Sequence, residues 1–480
     1  MGALAGLLVE LGHHVSGSDV AFDPPIGPAL QEWGVRTLRG FDQRHLEPPP
    51  ELVVIGNVCR SDNPEARHAI DSGISYAHIA SALERFVLPG TSPLVVAGTH
   101  GKTTTASLAT WLLDQAGQRP GFLIGGLPKN FPRSFRAPQL ERRLPAYPAL
   151  RRAPFVLEGD EYDTAFFEKT AKFLHYSADV VILTSIEHDH IDIYPTLEAY
   201  LEPFGKLVRK LPAHGLLVAN AADSQLRELV NTYRIPETPL AWYALADEDT
   251  GGEPPHWLAA PASMTESGTT FDLFAGGVLA GRFVLPLPGR HNLRNAVAAL
   301  AAAAQGYGAK LHELGAALAR FEGVRRRQDL LGTPCGIALY DDFAHHPSAV
   351  RETLAALRQR HPGARLLVAF EPRSATACRK LHQMEYTRCW DGADFVLFAP
   401  LGRDNLPEVE RLDLRALAEE LTRRGQAAKV MHSLDAIVEE LVRMARPGDA
   451  VALLSNGAFG GIHQKLLARL SHAESAPAGA

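Results

Sequence analysis

The sequence predicts an α/β protein of several domains, built on parallel sheets crossed by helices. Three observations carry that prediction. Short apolar runs of strand length alternate with stretches of helical period, the pattern of parallel strands joined by crossover helices. The 480 residues exceed one ordinary core, so roughly two to four domains are expected. The composition, 46% hydrophobic and 21% charged with ample glycine for turns, is that of a globular chain.

Taken in order, "MGALAGLLVELGHHVSGSD" reads as an amphipathic helix followed by a short strand. Strands are expected at "ELVVIG" (51–56), "PLVVAG" (93–98), "PFVLEG" (154–159), "DVVILTS" (179–185) and "GLLVAN" (215–220). Further along come "GIALYDD" (336–342), "ARLLVAFE" (364–371), "DFVLFA" (394–399) and "DAVALLS" (449–455). Such short continuous apolar runs suit strands buried on both faces. Breaks at "VLPGTSP" (87–93) and around "QGYGAKLHELGAAL" (305–318) divide the chain into units of 1–90, 91–311 and 312–470. Residues 471–480 form a small-residue tail expected to be disordered. The segment 131–154 is a basic, proline-punctuated loop and 246–256 a polar one.

The same totals exclude some functions. A net charge of −6 gives no basic surface for nucleic acid or an anionic membrane. No apolar run approaches the roughly 20 residues of a membrane span. The N-terminus lacks the basic head of a secretory signal, so a cytoplasmic location is expected. Cys59, Cys335, Cys378 and Cys389 show no C-x-x-C pairing and read as reduced thiols.

Chemistry concentrates at the carboxyl ends of the expected strands, where open α/β sheets bind ligands. "GTHGKTTT" joins a strand to a helix and resembles a phosphate loop, although Val96 stands where such loops usually have their first glycine. Backbone N–H groups from Gly98, Thr99, Gly101 and Thr104 at a helix N-terminus would cradle phosphates. Lys102 would set its charge on the terminal phosphates and the Thr103 hydroxyl would hold magnesium. An ordinary strand–helix turn is the bland alternative. "PFVLEGDEYD" brings Glu158, Asp160, Glu161 and Asp163, and "LTSIEHDHIDIYP" brings Glu187, His188, Asp189, His190 and Asp192. Glu158 and His190 are the candidates for holding magnesium between nucleotide and substrate. The Glu-His-x-His run also resembles a zinc cluster, but with no cysteine nearby the phosphate loop favours magnesium.

"PGRHNLRNAVAA" places His291, Asn292 and Asn295 at a helix start, with donors and acceptors suited to an adenine edge. "RRRQDL" and "DDFAHHPSAV" add Arg325–Arg327, Asp341, Asp342, His345 and His346. Of these, Arg326 and Asp341 are the candidates for nucleotide contact, since a cation from another domain can neutralise a phosphoryl group during transfer. After the late strands, Arg373, Ser374, Ser455 and Asn456 are candidates for binding substrate carboxylates, the arginine fork being suited to bidentate recognition.

In this order, "GTHGKTTT", "EGDEYD", "EHDHIDIY", "PGRHNLRNAVAA", "RRRQDL" and "DDFAHHPSAV" resemble the Mur ligases, the ATP-dependent amide-forming enzymes of bacterial cell-wall synthesis. The family loop is G-T-x-G-K-T-T, so Val96 is a family trait. The resemblance implies three domains: a Rossmann-like UDP-sugar domain, a central P-loop ATPase domain and a C-terminal Rossmann-like peptide domain. It implies that the first domain is truncated, its first strand and glycine turn missing, because this chain starts at Met1-Gly2 inside that motif. It implies ATP and Mg2+ as cofactors and a reaction through an acyl phosphate, with Lys102, Glu158 and His190 catalytic. Lys206 falls near the carbamylated lysine of some members, though a surface helix lysine is the preferred reading.

"EYDTAFFEKTAKFLHY", "GNVCRSDNPE", "EPRSATA" and "SNGAFGGIHQKLL" resemble the branch that joins UDP-N-acetylmuramic acid to L-alanyl-γ-D-glutamyl-meso-diaminopimelate in peptidoglycan recycling. The alanine-adding branch is the same-class alternative, and folylpolyglutamate synthases a more distant one. A nucleotide-binding regulator that forms no bond is the alternative of a different class.

Overall fold

The computed structural model describes residues 1–140, 152–403 and 406–475. Two large sheets organise it. The first has ten strands, in the order Val278–Leu285, Gly268–Ala275, Trp257–Thr265, Leu240–Leu245, Leu216–Asn220, Val180–Leu183, Thr91–Ala97, Ala153–Glu158, Gly121–Leu123 and Phe135–Arg136. Its middle is parallel, from Trp257–Thr265 across to Gly121–Leu123. The strand at its centre, Thr91–Ala97, is buried throughout. Leu94 and Val96 point into one core with the helices Lys102–Gln115 and Arg290–Ala301. Val95 and Ala97 point into the other, with Leu4, Leu7, Phe204 and Leu207. This alternation explains the continuous apolar run, because each face meets its own layer. It also places Val96 in the core.

The second sheet has six strands, in the order Asp329–Gly332, Ala338–Asp342, Ala450–Leu454, Leu366–Phe370, Phe395–Phe398 and Ala427–Val430. All its pairs are parallel except the first. One face packs round Trp390, which sits 5.2 Å from Phe370 and 5.4 Å from Phe398, ring to ring. Before these sheets, Ser16–Asp19 pairs with Arg36–Arg39, and Val53–Ile55 with Tyr76–His78, both parallel. The two pairs are not hydrogen-bonded to each other.

Three features of the structure go beyond the apolar-run reading. Leu314, Ala317, Leu318, Phe321 and Val324 pack into the core of the ten-stranded sheet, so the chain leaves that core only after Val324, later than residue 312. The strands from Trp257 to Leu285 form an antiparallel extension that the apolar-run criterion does not reveal. Their burial alternates or is slight, as on a half-exposed sheet. The helix Ile462–Ser475 runs into the expected tail, since Ile462, Leu466 and Leu470 supply an apolar stripe that packs on the second sheet. The rest of the tail, 476–480, and the middle of the basic loop, 141–151, lie outside the described residues.

One helix supplies several of the contacts between the two sheets. Pro347–Arg360 turns Ser348, Glu352 and Gln359 toward the ten-stranded unit. Ser348 Oγ donates to Glu187 Oε2 (2.5 Å), Arg294 donates to Glu352 (3.3 Å), and Gln359 Nε2 donates to the Thr265 carbonyl (3.0 Å). These residues are four and seven apart, so they share a helix face. The Gly289 N–H donates to Gln359, and a Cβ at Gly289 would lie 2.7 Å from the Ala356 Cβ, so only glycine permits this approach.

Candidate active site

The strand Thr91–Ala97 runs into Gly98, and the helix Lys102–Gln115 begins directly after Gly101. Gly98 has φ +130° and Gly101 φ +79°. A Cβ on Gly98 would lie 2.3 Å from Thr184 Oγ1, and one on Gly101 would lie 2.5 Å from Asn295 Oδ1. Both the backbone conformation and the space therefore demand glycine. Thr99 anchors the loop: its N–H donates to the Ser185 carbonyl (2.7 Å), and its hydroxyl accepts from Glu187 N (2.9 Å). The His100 N–H donates to Ser185 Oγ (3.2 Å).

Lys102 Nζ donates to the Gly98 carbonyl (2.5 Å) and meets Glu161 at 3.0 and 3.1 Å. Glu161 is 1% exposed and also faces His190 Nε2 at 3.1 Å. Burial alone would raise the Glu161 carboxyl, but Lys102 and His190 outweigh it and hold the group down at about 2. Burial would likewise lower His190, yet Glu161 and Asp189 raise it. Lys102 is raised as well, its desolvation outweighed by Glu161, Glu158 and Asp160. This buried cation–anion–imidazole chain is the electrostatic centre of the site. Glu158 faces a different partner: Thr103 Oγ1 donates to Glu158 Oε1 (2.7 Å), and Gly125 N donates to its other oxygen (2.7 Å).

Thr99, Gly101, Lys102, Thr103, Glu158, Glu161 and His190 line one cleft of about 580 Å³, with Thr104, His291, Asn292 and Asn295 on its walls. Asn292 Nδ2 donates to the Pro288 carbonyl (2.7 Å), and His291 accepts from Gln328 Nε2 (3.0 Å). From the C-terminal unit, Arg327 reaches the Thr103 hydroxyl at 3.4 Å, and Asp342 accepts from Gln328 N (2.6 Å).

Arg326 and Asp341 do not join this lining. They meet each other at 3.3 Å, and Arg326 donates to the carbonyls of Ser455 (2.9 Å) and Gly457 (2.5 Å). The reason is local backbone: Arg326 has φ +61° and Gln328 φ +47°, which reverses the direction of successive side chains. A run of three arginines carries no signal of that reversal. Glu161 and Glu352 were also missed as organising residues, the first because "EGDEYD" offers several carboxylates at one strand end.

Arg373, Ser374, Ser455 and Asn456 do gather, at the adjacent carboxyl ends of Leu366–Phe370 and Ala450–Leu454, outside the cleft lining. Glu371 organises them, accepting from Ser455 Oγ (2.5 Å) and facing Arg373 NH1 at 3.5 Å. Arg373 lies against Gly402 and Gly457, where any Cβ would collide with it. Ser374 Oγ is used within its own turn, accepting from Ala377 N, and Asn456 Oδ1 is buried without a partner. Lys206 is exposed and paired with Glu202 at 2.7 Å, as a surface helix lysine. The cysteines are free.

A strand, a glycine-dependent loop and a helix N-terminus, opening on a cleft shared with a second sheet, define a multidomain phosphate-loop α/β protein. The family models match in three consecutive parts: the Mur ligase family catalytic domain over residues 1–89, the Mur ligase middle domain over 96–303, and the Mur ligase glutamate ligase domain over 326–457. The chain belongs to the Mur ligase family. It is 37% identical to the UDP-N-acetylmuramate–L-alanyl-γ-D-glutamyl-meso-2,6-diaminoheptandioate ligase of Escherichia coli, covering 97% of this chain and 95% of that protein. It is 32% identical to the UDP-N-acetylmuramate–L-alanine ligase of Chloroflexus aggregans, covering 99% and 97%. Among solved structures, the murein peptide ligase of Psychrobacter arcticus superposes with a TM-score of 0.72 at 32% identity, over 98% of this chain and 96% of that one.

Proposed function

We propose that this protein is an ATP- and magnesium-dependent ligase that joins UDP-N-acetylmuramic acid to L-alanyl-γ-D-glutamyl-meso-diaminopimelate, in the cytoplasm, for peptidoglycan recycling. The observation that carries the reading is the loop cradle, with Lys102 and the Thr103–Glu158 pair converging on a cleft that Arg327 of the second sheet also lines. The cradle fits a polyphosphate, because Gly101 and the N-terminus of the helix Lys102–Gln115 line the cleft beside Lys102. Hydroxyl and carboxylate oxygens at Thr103 and Glu158 fit magnesium, which prefers oxygen ligands. ATP would supply the phosphoryl group that activates the muramic acid carboxylate as an acyl phosphate, leaving ADP; the peptide amine would then attack the acyl carbon and expel inorganic phosphate to give the amide.

In this scheme Lys102 draws off negative charge, and Glu161 holds both Lys102 and His190 in place. Arg327 approaches the reacting phosphoryl group from the other domain. Arg373, on its glycine bed beside Ser455, receives a carboxylate of the peptide. No helix among the described residues is long and apolar enough to cross a membrane. The relatives at 37% and 34% identity bear the tripeptide ligase name, against 33% or less for the alanine ligase relatives, which supports the longer acceptor.

Mass spectrometry of products from UDP-N-acetylmuramate, ATP and magnesium against a panel of amines tests the reading. The tripeptide should give the amide, ADP and phosphate, with free L-alanine far less effective. Efficient use of alanine with the tripeptide inert would reassign the chain to the alanine-adding branch. Nucleotide binding with no amide from any amine would leave a regulator.

A further inference from the structure

The segment "EYDTAFFEKTAKFLHY" gives Glu161 to the ligase reading, but Tyr162 and Lys172 line the same cleft with no part in it. One carboxylate holds both. Asp160 Oδ1 accepts from the Tyr162 N–H (2.8 Å), and Asp160 Oδ2 accepts from Lys172 Nζ (2.7 Å). We propose that Tyr162 and Lys172 are positioning residues for the UDP-sugar, the pyranose lying on the Tyr162 ring and the diphosphate meeting Lys172. This assignment rests on the ligase reading and adds to it the residues of the middle unit that seat that substrate.

The state of Lys172 is the first argument. An ammonium group has three N–H donors. Lys102 spends its donors on the Gly98 carbonyl, the Thr99 carbonyl and Glu161. Among the described residues Lys172 has one hydrogen-bond acceptor, Asp160, although its side chain is only 13% exposed. The Tyr162 ring, 5.7 Å from Nζ, adds only a cation–π contact. Donors are thus left over on a mostly buried cation in a cleft wall, and an anion with several oxygens would take them. Tyr162 is the second argument. It is 36% exposed, yet its ring is held 4.2 Å from the His190 ring, tilted by 49°. An open aromatic face in a polar cleft suits a ligand with an apolar side, and the C–H face of a pyranose is such a side. A sugar there would carry its lactyl carboxylate toward His190, where the ligase reading places phosphoryl transfer.

Location decides which anion meets Lys172. Met1, Ala3, Leu4 and Ile79 of the first unit line the cleft as well, and the Lys172 ammonium acts on the main-chain nitrogen of Met1. Between Tyr162 and Lys172, the strands Asp163–Ala165 and Glu168–Ala171 form a hairpin that docks on that unit. His78 Nε2 meets Glu168 at 3.1 Å, and the Tyr76 ring stands edge-on to Phe167 at 5.1 Å. Lys172 therefore stands at the junction with the first unit and Tyr162 against His190. That order, cation and then aromatic face, matches diphosphate and then sugar along one extended ligand.

UDP-N-acetylmuramic acid and UDP, each titrated calorimetrically into the full-length protein saturated with a non-hydrolysable ATP analogue and magnesium, give the test. Lys172→Gln should weaken both ligands by about tenfold or more, and Lys172→Arg, which keeps the charge, should restore most of that loss. Tyr162→Leu should weaken the UDP-sugar several-fold and leave UDP unchanged, while Tyr162→Phe behaves as wild type. Affinity for the ATP analogue alone should be unaltered in the Lys172 variants, and circular dichroism confirms that each variant is folded. Equal UDP-sugar affinity in wild type and Lys172→Gln, a matching loss of ATP-analogue affinity in Lys172→Gln, or equal losses of UDP and UDP-sugar in Tyr162→Leu would each overturn the assignment. It would fall alone if wild type still formed the amide. A wild type that binds the ATP analogue but not the UDP-sugar would overturn the ligase reading, and this assignment with it.

Discussion

Replacing Glu161 by glutamine removes one charge from the most buried part of the site while preserving its volume. The carboxyl is held at about 2 against an ordinary 4.5, which at about 1.4 kcal/mol per tenfold change in proton affinity corresponds to about 3 kcal/mol. Breaking a buried ion pair by removing one partner costs about 3–5 kcal/mol, in the same range. The carboxyl's folded-state value is depressed, so its contribution is full above 4.5 and is lost as pH falls toward about 2. His190 is raised, so its share is full below 6.5 and fades as pH rises through its folded value. Wild type should therefore exceed Glu161→Gln most between those two pH values. A domain of this size shifts by about 2–4 °C per kcal/mol, so the melting temperature should fall by about 6–12 °C. The assay is thermal unfolding without nucleotide and with chelator present, across pH, for wild type, Glu161→Gln, Lys102→Met and the double variant. A shift under about 2 °C, or additive single effects showing no coupling between Lys102 and Glu161, would refute the reasoning.

Gly101→Ala forces a side chain into a left-handed position against Asn295; calorimetry should show nucleotide affinity falling at least tenfold. Glu352→Ala leaves Arg294 its stronger partner Glu248 at 2.6 Å, so it should cost about 1 kcal/mol by urea unfolding, in the range of a partly exposed pair. Trp390→Ala empties the aromatic centre of the second sheet and should cost about 3–5 kcal/mol, read as early melting of the C-terminal unit.

The parallel strands were legible because burial on both faces writes an unbroken apolar run, as at Leu366–Phe370 and Ala450–Leu454. The phosphate loop was legible because glycine, lysine and threonine at that spacing have few other uses. What stayed hidden depended on direction. The strands Gly268–Ala275 and Val278–Leu285 are only partly buried, the second leaving Val278, Leu279 and Val284 exposed, so their patterns do not mark strands covered on both faces. The turn at Arg326 sends the middle arginine to Asp341 and its neighbour to Thr103, a choice fixed by backbone angles. Nor does sequence tell that Glu161, rather than Asp160, stands between Lys102 and His190.

The helix Pro347–Arg360, with its Ser348, Glu352 and Gln359 contacts, sets an order of assembly. Ser348 and Glu187 are 161 positions apart in the chain. At about 5–20 residues per second of synthesis, the first half of the cleft is made on the order of ten seconds before its other wall. For that interval the nascent protein has a phosphate loop but none of the second sheet's side chains to meet it. A ribosome stalled there carries a folded unit with an unfinished cleft, so competence arrives only when the last sheet closes.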